Sequence, residues 1–282
     1  MHRGPQANSI AVMPDPASQD IRSPRPSLRS IALPVEHGGW GFTLEPVLLG
    51  LLVAYSPAAW ELSIAALAVF LARRPFKLFA TDLVRRRWLA RTTVAASFAA
   101  LYGALALAGL IGALVTADAR FLVAYAVAVP FAAVALYNDS QSKSRTIVAE
   151  LAGSMAMGST VAAIALADGW GWVDAFGLWF VLVARGTTAI SLVRGQIRRV
   201  HEKPVGEVAI YGTQLATIAA MALAATLGAV PWLAVVAIAG IGVLAYLSLQ
   251  RPPVAARVVG WTQIVTGFAV VMLTALGVWL GW

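Results

Sequence analysis

The chain has no cysteine, so disulfides, thiol nucleophiles and cysteine-bound zinc are excluded from its chemistry. It has little charge: 12% of its 282 residues are Asp, Glu, Lys or Arg, where a soluble domain carries about 25%. A soluble fold of this length would lack the polar groups to cover its surface, whereas a bilayer removes that demand. Histidine is scarce too: His2, His37 and His201 are the whole supply, which leaves little for imidazole ligation of a metal or haem. Residues 1–33 hold no apolar run of signal-peptide type. They are rich in Pro, Ser and Arg and read as an uncleaved, disordered cytoplasmic tail.

What is present is apolar sequence, 60% of the chain, with a net charge of +8. That charge does not point to nucleic acid. The Arg residues stand between apolar runs, and no basic domain exists apart from them. Nine apolar segments of roughly 17–26 residues are long enough to cross a bilayer: 35–55, 58–80, 93–115, 120–137, 146–167, 172–194, 208–228, 230–249 and 257–281. Twenty of the twenty-one Lys and Arg residues then fall on one side, with Arg120 alone on the other. Basic loops stay in the cytoplasm. The expected object is an all-α, polytopic bundle of about nine spans over residues 34–282, in the inner membrane, with a cytoplasmic N-terminus and an external C-terminus. Trp170, Trp172, Trp279 and Trp282 sit where the external aromatic belt belongs.

Four polar groupings interrupt the apolar pattern. The first opens the first segment: Glu36, His37, two glycines and Trp40, then Glu45. Helical spacing aligns His37, Gly38, Gly41 and Glu45 on one face, with Glu45 about two turns into the bilayer. A carboxylate there needs a partner, a proton or a wet cavity. The second grouping is Arg73, Arg74 and Lys77 before a run of arginines at 85–87, with Asp82 spaced to pair with Arg85 or Arg86. The third is Thr187, Ser191, Arg194 and Arg198 as a stripe, with Arg185 deeper and in need of a counter-charge from Glu45 or Glu150. The fourth is Glu150 beside Gly153 and Ser154 at the start of the fifth segment. Arg73 and Arg185 each open a stretch that ends in paired arginines, at a common offset of 112 residues, a faint sign of duplication.

The opening Glu36-His37-Gly38-Gly39-Trp40, the later Arg74-Pro75-Phe76-Lys77 and the Val193-Arg194 pair together resemble the YwiC-like family of bacterial membrane proteins, over roughly residues 33–282. The resemblance implies an integral membrane protein and names no reaction. Nine spans with polar residues at the 2–3 and 6–7 connections are also similar to UbiA-type prenyltransferases, which imply an Asp-rich motif at each connection that holds magnesium on an isoprenoid diphosphate. This chain departs from that pattern. It has Asp82 alone at the first connection, no Asp at the second, and Asn138-Asp139 in the wrong loop. Arg and Lys stand where the metal-binding acids would be.

Guanidinium and ammonium groups hold phosphate oxygens without a metal. The expected site is therefore a basic cavity on the cytoplasmic side, bounded by the first, second, fifth and sixth segments. Arg73, Arg74, Lys77, Arg194 and Arg198 would bind the phosphate of an anionic lipid or isoprenoid. Glu36, His37 or Glu45 would handle a proton as catalytic groups, and Asp82, Glu150 and Arg185 would order the site, with no metal. Two other readings stand beside this prenyltransferase-like transferase lacking its Asp-rich motifs. They are an organic-anion transporter built on the midplane charges Glu45 and Arg185, and a non-catalytic lipid-binding or assembly protein.

Overall fold

The computed structural model describes residues 28–34, 37–141 and 143–281, with only the backbone of His37 and Gly38. Ten α-helices follow one another, and no strand occurs among the described residues. They are α1 (Leu28–Ala32), α2 (His37–Val53), α3 (Pro57–Val84), α4 (Ala90–Thr116), α5 (Leu122–Ser140), α6 (Ile147–Ala167), α7 (Trp172–Val200), α8 (Glu207–Thr226), α9 (Trp232–Gln250) and α10 (Ala256–Trp279). A 3-10 turn, Ala119–Phe121, leads into α5. Helices α2 to α10 are the nine apolar segments. Seven of them, α4 to α10, are long and apolar enough to cross a membrane. Helix α2 has 17 residues, a rise of about 25 Å against a hydrocarbon core of about 30 Å. Helix α3 has length to spare, 28 residues, but carries Glu61, Arg73, Arg74, Lys77 and Asp82.

Local chemistry sets the helix ends. Ser56 caps α3: its Oγ accepts a hydrogen bond from the Ala59 N–H at 3.2 Å, and Pro57 follows at the first helical position, where its missing N–H costs nothing. Thr146 caps α6 in the same way through the Ala149 N–H. Pro252 and Pro253 separate α9 from α10, since neither has an N–H to continue a helix. Two helices run beyond the segments read from hydropathy. Helix α3 continues through Pro75 to Val84, and α7 continues to Val200, so most of each basic stretch is helical rather than loop. In the presumed tail, α1 packs on α3 and α4 with Ile31 and Ala32 buried, so order begins at least by residue 28. Residues 1–27 lie outside the described part.

Helix α6 lies at the centre, against α2, α3, α5 and α7. One half of the bundle, at the end where α3 and α7 begin, is dry. Leu49, Leu62, Phe121, Leu178 and the whole run Val161–Leu166 have no measurable exposure. The clusters of cationic side chains lie toward the opposite, basic end. A shift of 112 residues carries α2, α3, α4 and α5 onto α6, α7, α8 and α9 with every boundary within five residues. The offset of the two arginine runs thus holds for the bounds of four consecutive helices, with α10 left over.

Candidate functional site

Arg185 lies at mid-helix in α7, with 3% of its side chain exposed. One Nη is 3.3 Å from Glu45 Oε1 of α2 and donates to the Gln263 carbonyl of α10 at 2.7 Å. The other Nη donates to Gln263 Oε1 at 3.2 Å. The counter-charge is therefore Glu45 and not Glu150. Gln263 completes the ligation, and Arg185 Nε finds no hydrogen-bond partner among the described residues. Gly267, one turn from Gln263, makes the room: a methyl group there would collide with the Glu45 carboxylate and come within 3.0 Å of Arg185 Nη2. A charge at this depth persists because its partner and hydrogen bonds offset desolvation.

Toward the basic end, two further groupings meet on the connection between α5 and α6. From α3, Lys77 Nζ is 2.6 Å from Asp139 Oδ1, and Arg73 approaches the other oxygen at 3.6 Å. From α7, Arg194 Nη1 is 2.9 Å from both Glu150 Oε2 and the Arg145 carbonyl. The cations remain open to solvent, with side-chain exposures of 43% for Arg73, 50% for Lys77 and 38% for Arg194, while Asp139 is 11% exposed. The other expected residues turn elsewhere. Arg74 Nε donates to the Ser30 carbonyl of α1 at 2.5 Å, and Arg198 Nε donates to the Pro204 carbonyl in its own connection at 2.8 Å.

Asp82 is buried but not paired with Arg85 or Arg86. The chain turns at residues 85–89, with Arg86 in the left-handed region at φ +50°, and brings Arg91 and Thr92 onto the carboxylate. Arg91 binds both oxygens at 2.8 and 3.1 Å, and the Thr92 hydroxyl donates at 2.8 Å. These hydrogen bonds hold Asp82, which lies past the 58–80 span, below the usual carboxylate range. Asp82 thus ties α3 to α4 and faces away from the two groupings on the α5–α6 connection. Glu36 and the His37 side chain lie outside the described residues. Among the described residues no three His, Asp or Glu side chains converge as a metal site requires.

Two participants carry little signal in the sequence. Gln263 is one neutral amide that hardly changes the apolarity of α10, and Asp139 reads there only as half of a metal motif.

Residues 33–165 match the family model of YwiC-like protein. The match spans α2 to nearly the end of α6 and takes in Glu45, Arg73, Arg74, Lys77, Asp139 and Glu150. It stops short of the expected residue 282, so Arg185, Arg194 and Arg198 lie beyond it. No curated protein and no solved structure matches the chain. The likeness to UbiA-type enzymes accordingly rests on helix number and the placement of polar residues alone.

Proposed function

We propose that this YwiC-like integral membrane protein binds the phosphate of an anionic lipid or isoprenoid at the basic end of its bundle, with the apolar tail lying between helices. The observation that supports this most is the grip of α3 and α7 on the α5–α6 connection. Lys77 and Arg73 hold one side and Arg194 the other, each anchored by a carboxylate yet about 40–50% open. Anchored, half-open cations are pre-organised to donate to phosphate oxygens. Lys143 and Arg145 in the same connection leave positive charge in excess over Asp139 and Glu150. The basic end faces the cytoplasm by the positive-inside rule.

Group transfer to or from such a lipid is the chemistry this site would serve. Glu36 and His37, adjacent in sequence, are the proton-handling pair, with an imidazole reference pKa of about 6.5 suited to both directions. Glu45 is engaged by Arg185, so its part is to position α2 against α7 and α10. A transporter needs a route through the far half of the bundle. The fully buried run Val161–Leu166 stands in that route and supports a site reached from one side.

The test is mass spectrometry of lipids retained through purification in mild detergent, followed by titration with farnesyl phosphate. Wild type is expected to retain a phosphorylated lipid, and Lys77→Gln and Arg194→Ala to lose it and to bind farnesyl phosphate about tenfold more weakly. If wild type retains none and both variants bind farnesyl phosphate like wild type, the reading fails.

A further inference from the structure

The repeat makes the α5–α6 corner and the α9–α10 corner equivalent, and the two are built differently. At the first, cations arriving from α3 and α7 are met by Asp139 and Glu150. At the second no acid stands among the described lining residues, and no Asp or Glu follows Glu207 in the sequence. Arg199 reaches over from α7 and donates to the Ser248 and Arg251 carbonyls at 3.0 and 2.8 Å, neutral groups at the end of α9. Beside it a cleft of about 220 Å³ opens between α7, α9 and α10. Leu192, Leu244, Leu247 and Val258 form its walls, and Arg199 and Arg251 stand among its lining residues without a carboxylate.

We propose that this cleft is a second site, for an anionic phospholipid of the surrounding leaflet, distinct from the α5–α6 site. Its walls have the chemistry of an acyl chain, and its two guanidinium groups supply the counter-charge for a phosphate. It is smaller than the about 300–1,000 Å³ pockets that enclose a small molecule. A chain segment therefore enters it while the rest of the lipid stays in the bilayer. The position fits: the last turn of α7 and the end of α9 lie at the basic end, which the positive-inside rule sets among the cytoplasmic headgroups. The carbonyl contacts fix Arg199 without neutralising it, and no carboxylate pairs with it among the described residues. A phosphodiester with attached acyl chains satisfies both halves of the cleft at once, which a soluble phosphate does not.

The experiment is native mass spectrometry of the full chain titrated with phosphatidylglycerol and, separately, phosphatidylcholine of the same acyl composition. The first equivalent of phosphatidylglycerol is expected to bind at least several-fold more tightly. Arg251→Gln should weaken it about fivefold, as loss of one basic group at a membrane surface does. Val258→Trp, at a half-exposed position, should block the apolar wall and weaken it comparably. Arg87→Gln, which removes an exposed charge at the far α3–α4 turn, should leave it unchanged, as should excess glycerol 3-phosphate. Equal binding of the two lipids, wild-type affinity in both cleft variants, an equal loss in Arg87→Gln, or displacement by glycerol 3-phosphate would each overturn the assignment. Arg251→Gln and Val258→Trp are expected to leave farnesyl phosphate binding at the wild-type value, so this proposal and the α5–α6 reading fail separately.

Discussion

At the residue scale, the interior is organised by one charge. Arg185 draws a carboxylate from α2 and an amide and carbonyl from α10, so three helices far apart in sequence share one polar contact in an apolar medium. Breaking a buried pair by removing one member costs about 3–5 kcal/mol, because the survivor keeps its desolvation penalty. Arg185→Met alone is therefore expected to destabilise the bundle by roughly that amount, and the added Glu45→Met to restore most of it. Thermal unfolding in detergent across the four-member cycle measures this, and additive losses would show that the pair is not coupled. That Arg185 needed a partner was legible from its depth in an apolar run. Which of Glu45 and Glu150 supplied it was not, since the choice depends on how α2, α6 and α10 surround α7. Asp82 shows the same limit. Helical spacing favoured Arg85 and Arg86, but the chain turns directly after Val84 and delivers Arg91 instead.

At the element scale, the closest helix approach joins α3 and α4. Gly109 of α4 lies against the backbone of α3: an added methyl would strike the Glu61 carbonyl oxygen and sit 3.1 Å from the Ala65 nitrogen. A backbone has no rotamer with which to yield, so Gly109→Ala should cost about 1–3 kcal/mol of overpacking. Gly103, two turns earlier on the same helix, has nothing within 4 Å of the same methyl. There the substitution should stabilise by up to about 1 kcal/mol, the ordinary preference of a helix interior for alanine. Opposite signs in paired melting curves are the expected result, and equal shifts would mean that contact with Glu61 is not what limits α4. Both glycines look alike in the sequence, because composition reports small size and not what stands opposite. The helices themselves were legible from apolar length, but the last turns of α3 and α7 were not. Their residues are polar, so hydropathy ends the span where the backbone goes on. The overhanging turn of α7 holds Arg199, which links α7 to the end of α9.

At the scale of the whole molecule, alternating helices gather nearly all positive charge at one end. The other end has acids, Asp118, Asp168 and Asp174, and one cation, Arg120, whose guanidinium sits 4.8 Å from the Trp172 ring centre. The proposed nine crossings would place residues near the start and near the end of the bundle on opposite faces, and the positive-inside rule predicts a cytoplasmic basic end. The absence of native cysteine makes this directly measurable, since any introduced thiol is the only one. Arg86→Cys, exposed in the α3–α4 turn, and Lys143→Cys, exposed in the α5–α6 connection, should react with a membrane-impermeant maleimide only after cells are permeabilised. Gly169→Cys carries backbone strain, since Gly169 turns at φ +87°, so Trp172→Cys is the better outer probe and should label in intact cells. Labelling of both ends from outside would break the nine-crossing arrangement. Labelling of 86 and 143 alone would keep the bundle but invert it, and would move the cations of the proposed phosphate site to the external face.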